Sequence, residues 1–115
     1  MVKVIYYKLA TTNLRPVSGP NGVEIVQIGA VCKHTRNKTT KKLNIYIIPN
    51  CRISRGATKV HGVSRRNLIK RERRNYNNVF HPSGGLQVFM QFLCDKREFD
   101  DERIFLVSFF LALKW

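Results

Sequence analysis

Three apolar segments of period two, separated by turn-rich stretches, constrain this chain before any other feature does. In residues 2 to 10, Val2, Val4, Tyr6, Lys8 and Ala10 fall on one face of an extended chain, and Ile5, Tyr7 and Leu9 on the other. Apolar side chains on both faces predict an interior strand. Residues 15 to 22 are dense in Pro, Gly and Asn, and Asn21-Gly22 is a hairpin signal. Residues 23 to 32 predict a second strand. After a basic turn over residues 33 to 40, Leu43, Ile45 and Ile47 alternate with Asn44 and Tyr46, giving a third strand closed by Pro49. The chain is thus expected to open as a three-stranded antiparallel meander.

From Ser54 onward the pattern changes to short helical pieces interrupted at Gly56 and Gly62, with Ser64 the expected N-cap of a helix through Leu68 and Ile69. Residues 71 to 80 read as an exposed loop. A further helix is expected from His81-Pro82-Ser83, with Leu86, Phe89, Met90 and Leu93 at 3, 4, 7 spacing as its buried face and Gly84-Gly85 as a tight entry turn. Residues 104 to 111 are apolar on both faces, as expected of a strand covered by helices. The elements predict α/β architecture in a single domain over residues 1–115, with no internal repeat.

Charge narrows the functional classes. The chain of 115 residues carries 21 Lys and Arg against 7 Asp and Glu, a formal net charge of +14. Residues 33 to 74 hold fourteen of the bases and a single acid, Glu72, so nearly all of the excess sits mid-chain. Lys33, Lys41, Lys42, Arg55, Lys59, Arg65 and Arg66 are the candidate contacts to a polyanion, because each phosphate neutralised releases condensed counterions. The plainer alternative is a solvated basic surface, and the run Lys70-Arg71-Glu72-Arg73-Arg74 also reads as a nuclear-localisation patch. No stretch approaches the roughly 20 apolar residues that cross a bilayer, so the expectation is a soluble intracellular protein of nucleus or cytoplasm without membrane contact. Cys32, Cys51 and Cys94 lack CxxC spacing and read as reduced thiols. Together with His34, His61 and His81 they make no recognised zinc pattern, and no cofactor is expected.

Three segments taken together resemble the DEDDh-type 3′-to-5′ exonucleases, the superfamily of polymerase III proofreading domains and three-prime repair exonucleases, most closely its PolC-type-like animal members. Tyr6-Tyr7-Lys8-Leu9-Ala10-Thr11-Thr12-Asn13-Leu14 falls on a first motif that reads roughly hydrophobic-hydrophobic-Asp-x-Glu-Thr-Thr-Gly-Leu. Glu24-Ile25-Val26-Gln27-Ile28-Gly29-Ala30-Val31 matches the family's next strand. The most specific block is Ile53-Ser54-Arg55-Gly56-Ala57-Thr58-Lys59-Val60-His61-Gly62-Val63. Residues 85 to 93 resemble the helix before the second catalytic motif, and the similarity spans residues 2 to 107.

This resemblance implies an RNase H-like core, and in the family four carboxylates hold two Mg²⁺ or Mn²⁺ ions for phosphodiester hydrolysis. Here Lys8 and Ala10 stand at the first two carboxylate positions, and Lys114 aligns with the third. The segment that would carry the general-base His and the fourth Asp is missing, which implies an incomplete domain. The expected function is therefore binding of nucleic acid, DNA or RNA and most simply single-stranded, by a catalytically inactive exonuclease-like domain. By resemblance Thr11, Thr12 and Leu14 lie beside the substrate's 3′ end. Two alternatives stay open: an active exonuclease completed by a partner or a longer product, and a non-catalytic interaction fragment or decayed reading frame whose apolar strand at 104 to 111 is covered by a protein partner.

Overall fold

The computed structural model describes residues 2–13, 23–34, 40–94 and 103–108. Its elements are β1 (Val2–Thr11), β2 (Ile25–His34), β3 (Thr40–Ile47), α1 (Arg55–His61), α2 (Arg65–Arg73), β4 (Val79–Phe80), α3 (Pro82–Cys94) and β5 (Arg103–Ser108). The fold is a mixed α/β arrangement around one open sheet of five strands in the order β4-β3-β2-β1-β5. Leu14, the turn at Asn21-Gly22, residues 35–39, the acidic stretch 95–102 and everything from 109 onward, including Lys114, lie outside the described residues.

As the alternation predicts, β1, β2 and β3 pair antiparallel, with Lys8 opposite Gly29 and Gly29 opposite Asn44. β5 adds parallel to β1, which makes β1 an interior strand, and β4 adds parallel to β3 at the other edge. These two parallel additions require crossovers travelling in opposite directions: β3 to β4 steps outward, and β4 to β5 returns across the whole sheet. Crossovers are overwhelmingly right-handed, so opposite directions place their helices on opposite faces. That is the arrangement observed.

On the first face, α1 and α2 bury Ala57, Val63 and Leu68 against Ala10, Val26, Ile48 and Ile53, with Tyr46 and Val79 packed alongside. On the second, Val88, Phe89, Phe92 and Leu93 of α3 cover Ile5, Ile28, Ala30, Cys32, Ile45 and Ile47. The two short helices obey their capping residues. Ser54 accepts from Ala57 N–H at 3.1 Å and Ser64 from Asn67 N–H at 3.2 Å, and Gly62 closes α1 in the left-handed region at φ 74°.

Four expectations are corrected. Residues 71 to 80 are a loop only at 74–78, since α2 continues to Arg73 and Val79–Phe80 forms β4. The buried face of α3 is not the Leu86 and Met90 stripe, because these side chains are 60% and 50% exposed. Gly85 turns the helix instead: it is buried in the interior of α3, where a Cβ would lie 2.6 Å from Ile47 Cγ1, so α3 and β3 meet at a contact that only glycine admits. Gly84-Gly85 is accordingly a close-packing point and no entry turn. Finally, among the described residues β5 lies at the edge of the sheet, and its Leu106 and Val107 are 54% and 38% exposed where helical cover was expected.

The close approach at Gly85 generates a paired expectation. Gly85→Ala overpacks the α3–β3 contact and lowers stability by about 1–3 kcal/mol, read as a lower urea midpoint. Gly84→Ala, whose new Cβ meets Phe80 at an ordinary 3.7 Å, leaves the midpoint unchanged or raises it through helix propensity. Equal effects at the two positions would contradict this packing.

Candidate functional site

A hydrogen-bonded knot at the end of β1 sets where the helical wall of the first face stands. Thr12 is fully buried: its N–H donates to the Glu24 carbonyl (2.9 Å), its hydroxyl accepts from Glu24 N–H (3.1 Å), and its carbonyl accepts from Ser54 N–H (2.8 Å). The Cys51 thiol completes the set at 3.5 Å from the same hydroxyl. The Glu24 carboxylate clamps the turn after β3 by accepting from Asn50 N–H (3.2 Å) and Cys51 N–H (2.8 Å), and Arg65 ties α2 to that turn by donating to the Pro49 carbonyl at 2.9 Å. His61 closes the knot from α1. Because Val63 N–H donates to Nδ1 (3.0 Å), the ring proton sits on Nε2, which donates to the Thr11 carbonyl at 2.8 Å.

Burial acts to raise the Glu24 pKa, but the Cys51 side chain, the Asn50 and Cys51 N–H groups and the Arg65 charge outweigh it and leave that pKa below the ordinary glutamate value. The Cys51 thiol is pushed up, first by burial and then by its carboxylate neighbour. Cys51 is thus a protonated structural thiol at neutral pH.

With the wall so fixed, an open groove of about 1190 Å³ lies between α1, α2 and the part of the first sheet face they leave uncovered. Its floor is built by the pleat: Lys8 and Ala10 from β1, Gln27, Gly29 and Val31 from β2, and Lys42, Asn44 and Tyr46 from β3. Lys59, Val60 and His61 of α1, Asn67, Lys70 and Arg71 of α2 and its C-cap Arg74 form the wall, and Tyr76 follows at the rim. Residues 67, 70, 71 and 74 share one helical stripe. Among the described residues lining the groove, six are basic and none is acidic. Burial lowers the pKa of Lys8, one of the two cations on the floor. Gly29 beside it leaves room, since a Cβ there would come only within 4.0 Å of Lys8 Cγ.

Of the residues singled out in the sequence, Lys8, Ala10, Lys42 and Lys59 meet in this groove. Lys33 extends the same face beyond it, with Nζ 5.9 Å from the Tyr6 ring centroid. Lys41 alternates onto the opposite face, paired with Cys32. Arg55 and Arg66 are exposed on their helices outside the groove lining, and Arg65 serves the knot. Thr11 and Thr12 are structural members of that knot: the Thr11 hydroxyl donates to the Asn13 carbonyl at 2.7 Å, and Thr12 has no exposed surface. The groove also recruits Lys70, Arg71, Arg74, Tyr46 and Tyr76. For Lys70, Arg71, Arg74 and Tyr76 the signal was Asn75 following a basic helical turn, a C-terminal cap pattern that extends α2 past residue 70, and for Tyr46 it was the alternation of β3.

No protein-family model and no curated protein matches the sequence. Fold and groove define an α/β domain with an open five-stranded sheet and a cationic cleft on one face.

The Glu24 clamp carries a pH signature. A carboxyl whose pKa is depressed by folding stabilises fully above its unfolded value of about 4.3, and that contribution is lost as pH falls through the lower folded value. Thermal melts from pH 7 to pH 3 are expected to show Glu24→Gln less stable than wild type at pH 7, with the gap closing below about pH 4. A gap that stays constant across this range would remove the carboxylate clamp.

Proposed function

We propose that this chain is a non-catalytic, exonuclease-like domain that binds nucleic acid in the groove between α1, α2 and the first sheet face. One observation carries the reading: six bases and no acid line a groove whose floor includes the two positions, Lys8 and Ala10, that the resemblance assigns to metal-binding carboxylates. The strand order β3-β2-β1-β5, with an antiparallel meander and β5 parallel to β1, supports the RNase H-like part of the reading.

A divalent metal pair does not fit these residues. Lys8 presents an ammonium, Ala10 contributes a buried methyl group to the packing of α1 and α2, and the Glu24 carboxylate is committed to the turn after β3. Among the described residues no group of three or more His, Cys, Asp or Glu side chains could hold a metal ion. Binding needs no metal. The wall cations Lys59, Lys70, Arg71 and Arg74 face a backbone of phosphates across from Lys42, and each contact releases counterions. A phosphate oxygen that reaches the floor meets the Lys8 ammonium there, a charge-assisted contact.

Fluorescence anisotropy with a labelled oligonucleotide over a salt series is expected to give log K falling linearly with log[salt], with a slope of up to about −4 if all six cations meet single-stranded phosphates. Replacing Lys42, Lys59 and Lys70 together by Ala flattens the slope by about 2. No binding at low salt, or an unchanged slope in the triple variant, would sink the interface. Incubation with Mg²⁺ or Mn²⁺ leaves the oligonucleotide intact; digestion abolished by the triple variant would overturn the non-catalytic assignment.

A further inference from the structure

The end of α2 is built more elaborately than a helix terminus requires. Asn75 adopts the left-handed conformation at φ 57°, Asn75 N–H donates to the Glu72 carbonyl (3.0 Å), and Tyr76 N–H reaches back to the Arg71 carbonyl (3.1 Å). These are the two bonds of a Schellman motif, in which the residue after the left-handed one packs against the residue five positions earlier. Here the packed pair is an aromatic ring and a cation. The Arg71 guanidinium lies 4.3 Å from the Tyr46 ring centroid and 5.6 Å from that of Tyr76, so one planar cation is held between a ring on the sheet and a ring at the rim.

We propose that Tyr76 and Arg71 form a stacking ledge that takes one unpaired nucleobase, a subsite within the groove that rests on reading the groove as a nucleic-acid interface. Tyr76 is 49% exposed while its backbone is fixed by the cap, so its ring is open to a ligand and has only two side-chain torsions to order on binding. Lys70 and Arg74 flank the ledge on the same helical stripe, spaced to meet phosphates on either side of a stacked base. A base inside a duplex has both faces occupied by its neighbours, so away from duplex ends the ledge favours an unpaired base. Phosphate charge alone gives no such preference.

The test compares a short oligothymidylate with an abasic oligomer of the same length and charge. Wild type is expected to bind the oligothymidylate about tenfold more tightly, one stacked base. Tyr76→Ala erases that difference while leaving affinity for the abasic oligomer unchanged, and Tyr76→Phe preserves it. Far-UV circular dichroism verifies that α2 is intact in both variants; loss of helix on Tyr76→Ala with binding of both oligomers equally weakened would overturn the ledge and make Tyr76 a cap residue only. A base preference that survives Tyr76→Ala would also overturn it, with the groove still standing. Wild type binding neither oligomer overturns the groove and the ledge together.

Discussion

The buried hydroxyl of Thr12 is the point at which the sheet and the helical wall are joined. Its backbone reaches Glu24 and Ser54, its side chain serves Glu24 N–H and the Cys51 thiol, and the Glu24 carboxylate then holds the turn that leads into α1. A hydroxyl buried without partners costs about 1–3 kcal/mol, so a group used this completely fixes the geometry of everything bonded to it. The N-cap of α1 is bonded directly to the end of β1. The position of the helical wall is therefore tied to the sheet by hydrogen bonds between residues far apart in sequence.

The second constraint is topological. Two crossovers of one hand and opposite direction divide the helices between the faces, and the division is unequal. The thirteen-residue α3 seals its face with aromatic and aliphatic side chains, whereas α1 and α2, of seven and nine residues, cover only one end of theirs. What they leave open is the floor on which Lys8, Lys42 and Asn44 stand. The cleft is thus a product of helix length as much as of charge.

Much of this was legible in the sequence, for identifiable reasons. Period-two alternation revealed β1, β2 and β3 because their apolar residues pack against helices, and Ser64 revealed the start of α2 because capping is local chemistry; Gly56, read as an interruption, lies inside α1. The orientation of α3 was not legible, since two adjacent stripes of that helix are apolar and the deciding residue, Gly85, has no side chain to register in a hydrophobic pattern. Nor does a charge count distinguish Lys41 from Lys42. Only the register, which opposes Lys42 to Val31 and Lys41 to Cys32, assigns them to different faces. Arg65 shows the converse, a basic residue whose carbonyl partner at Pro49 gives it an architectural task.

The separation of helices between the two faces also bears on how such a sequence can change over time. Substitutions beneath α3 are judged by volume, because Ile5, Ile28, Ile45 and Ile47 sit in a closed apolar layer where a methylene is felt. Those on the groove side beyond the knot are judged by little except charge, since Lys42, Lys59 and Lys70 are exposed. One sheet therefore has a face constrained by volume and an exposed groove constrained chiefly by charge. The closed layer behind the cleft carries the fold that displays the exposed cations.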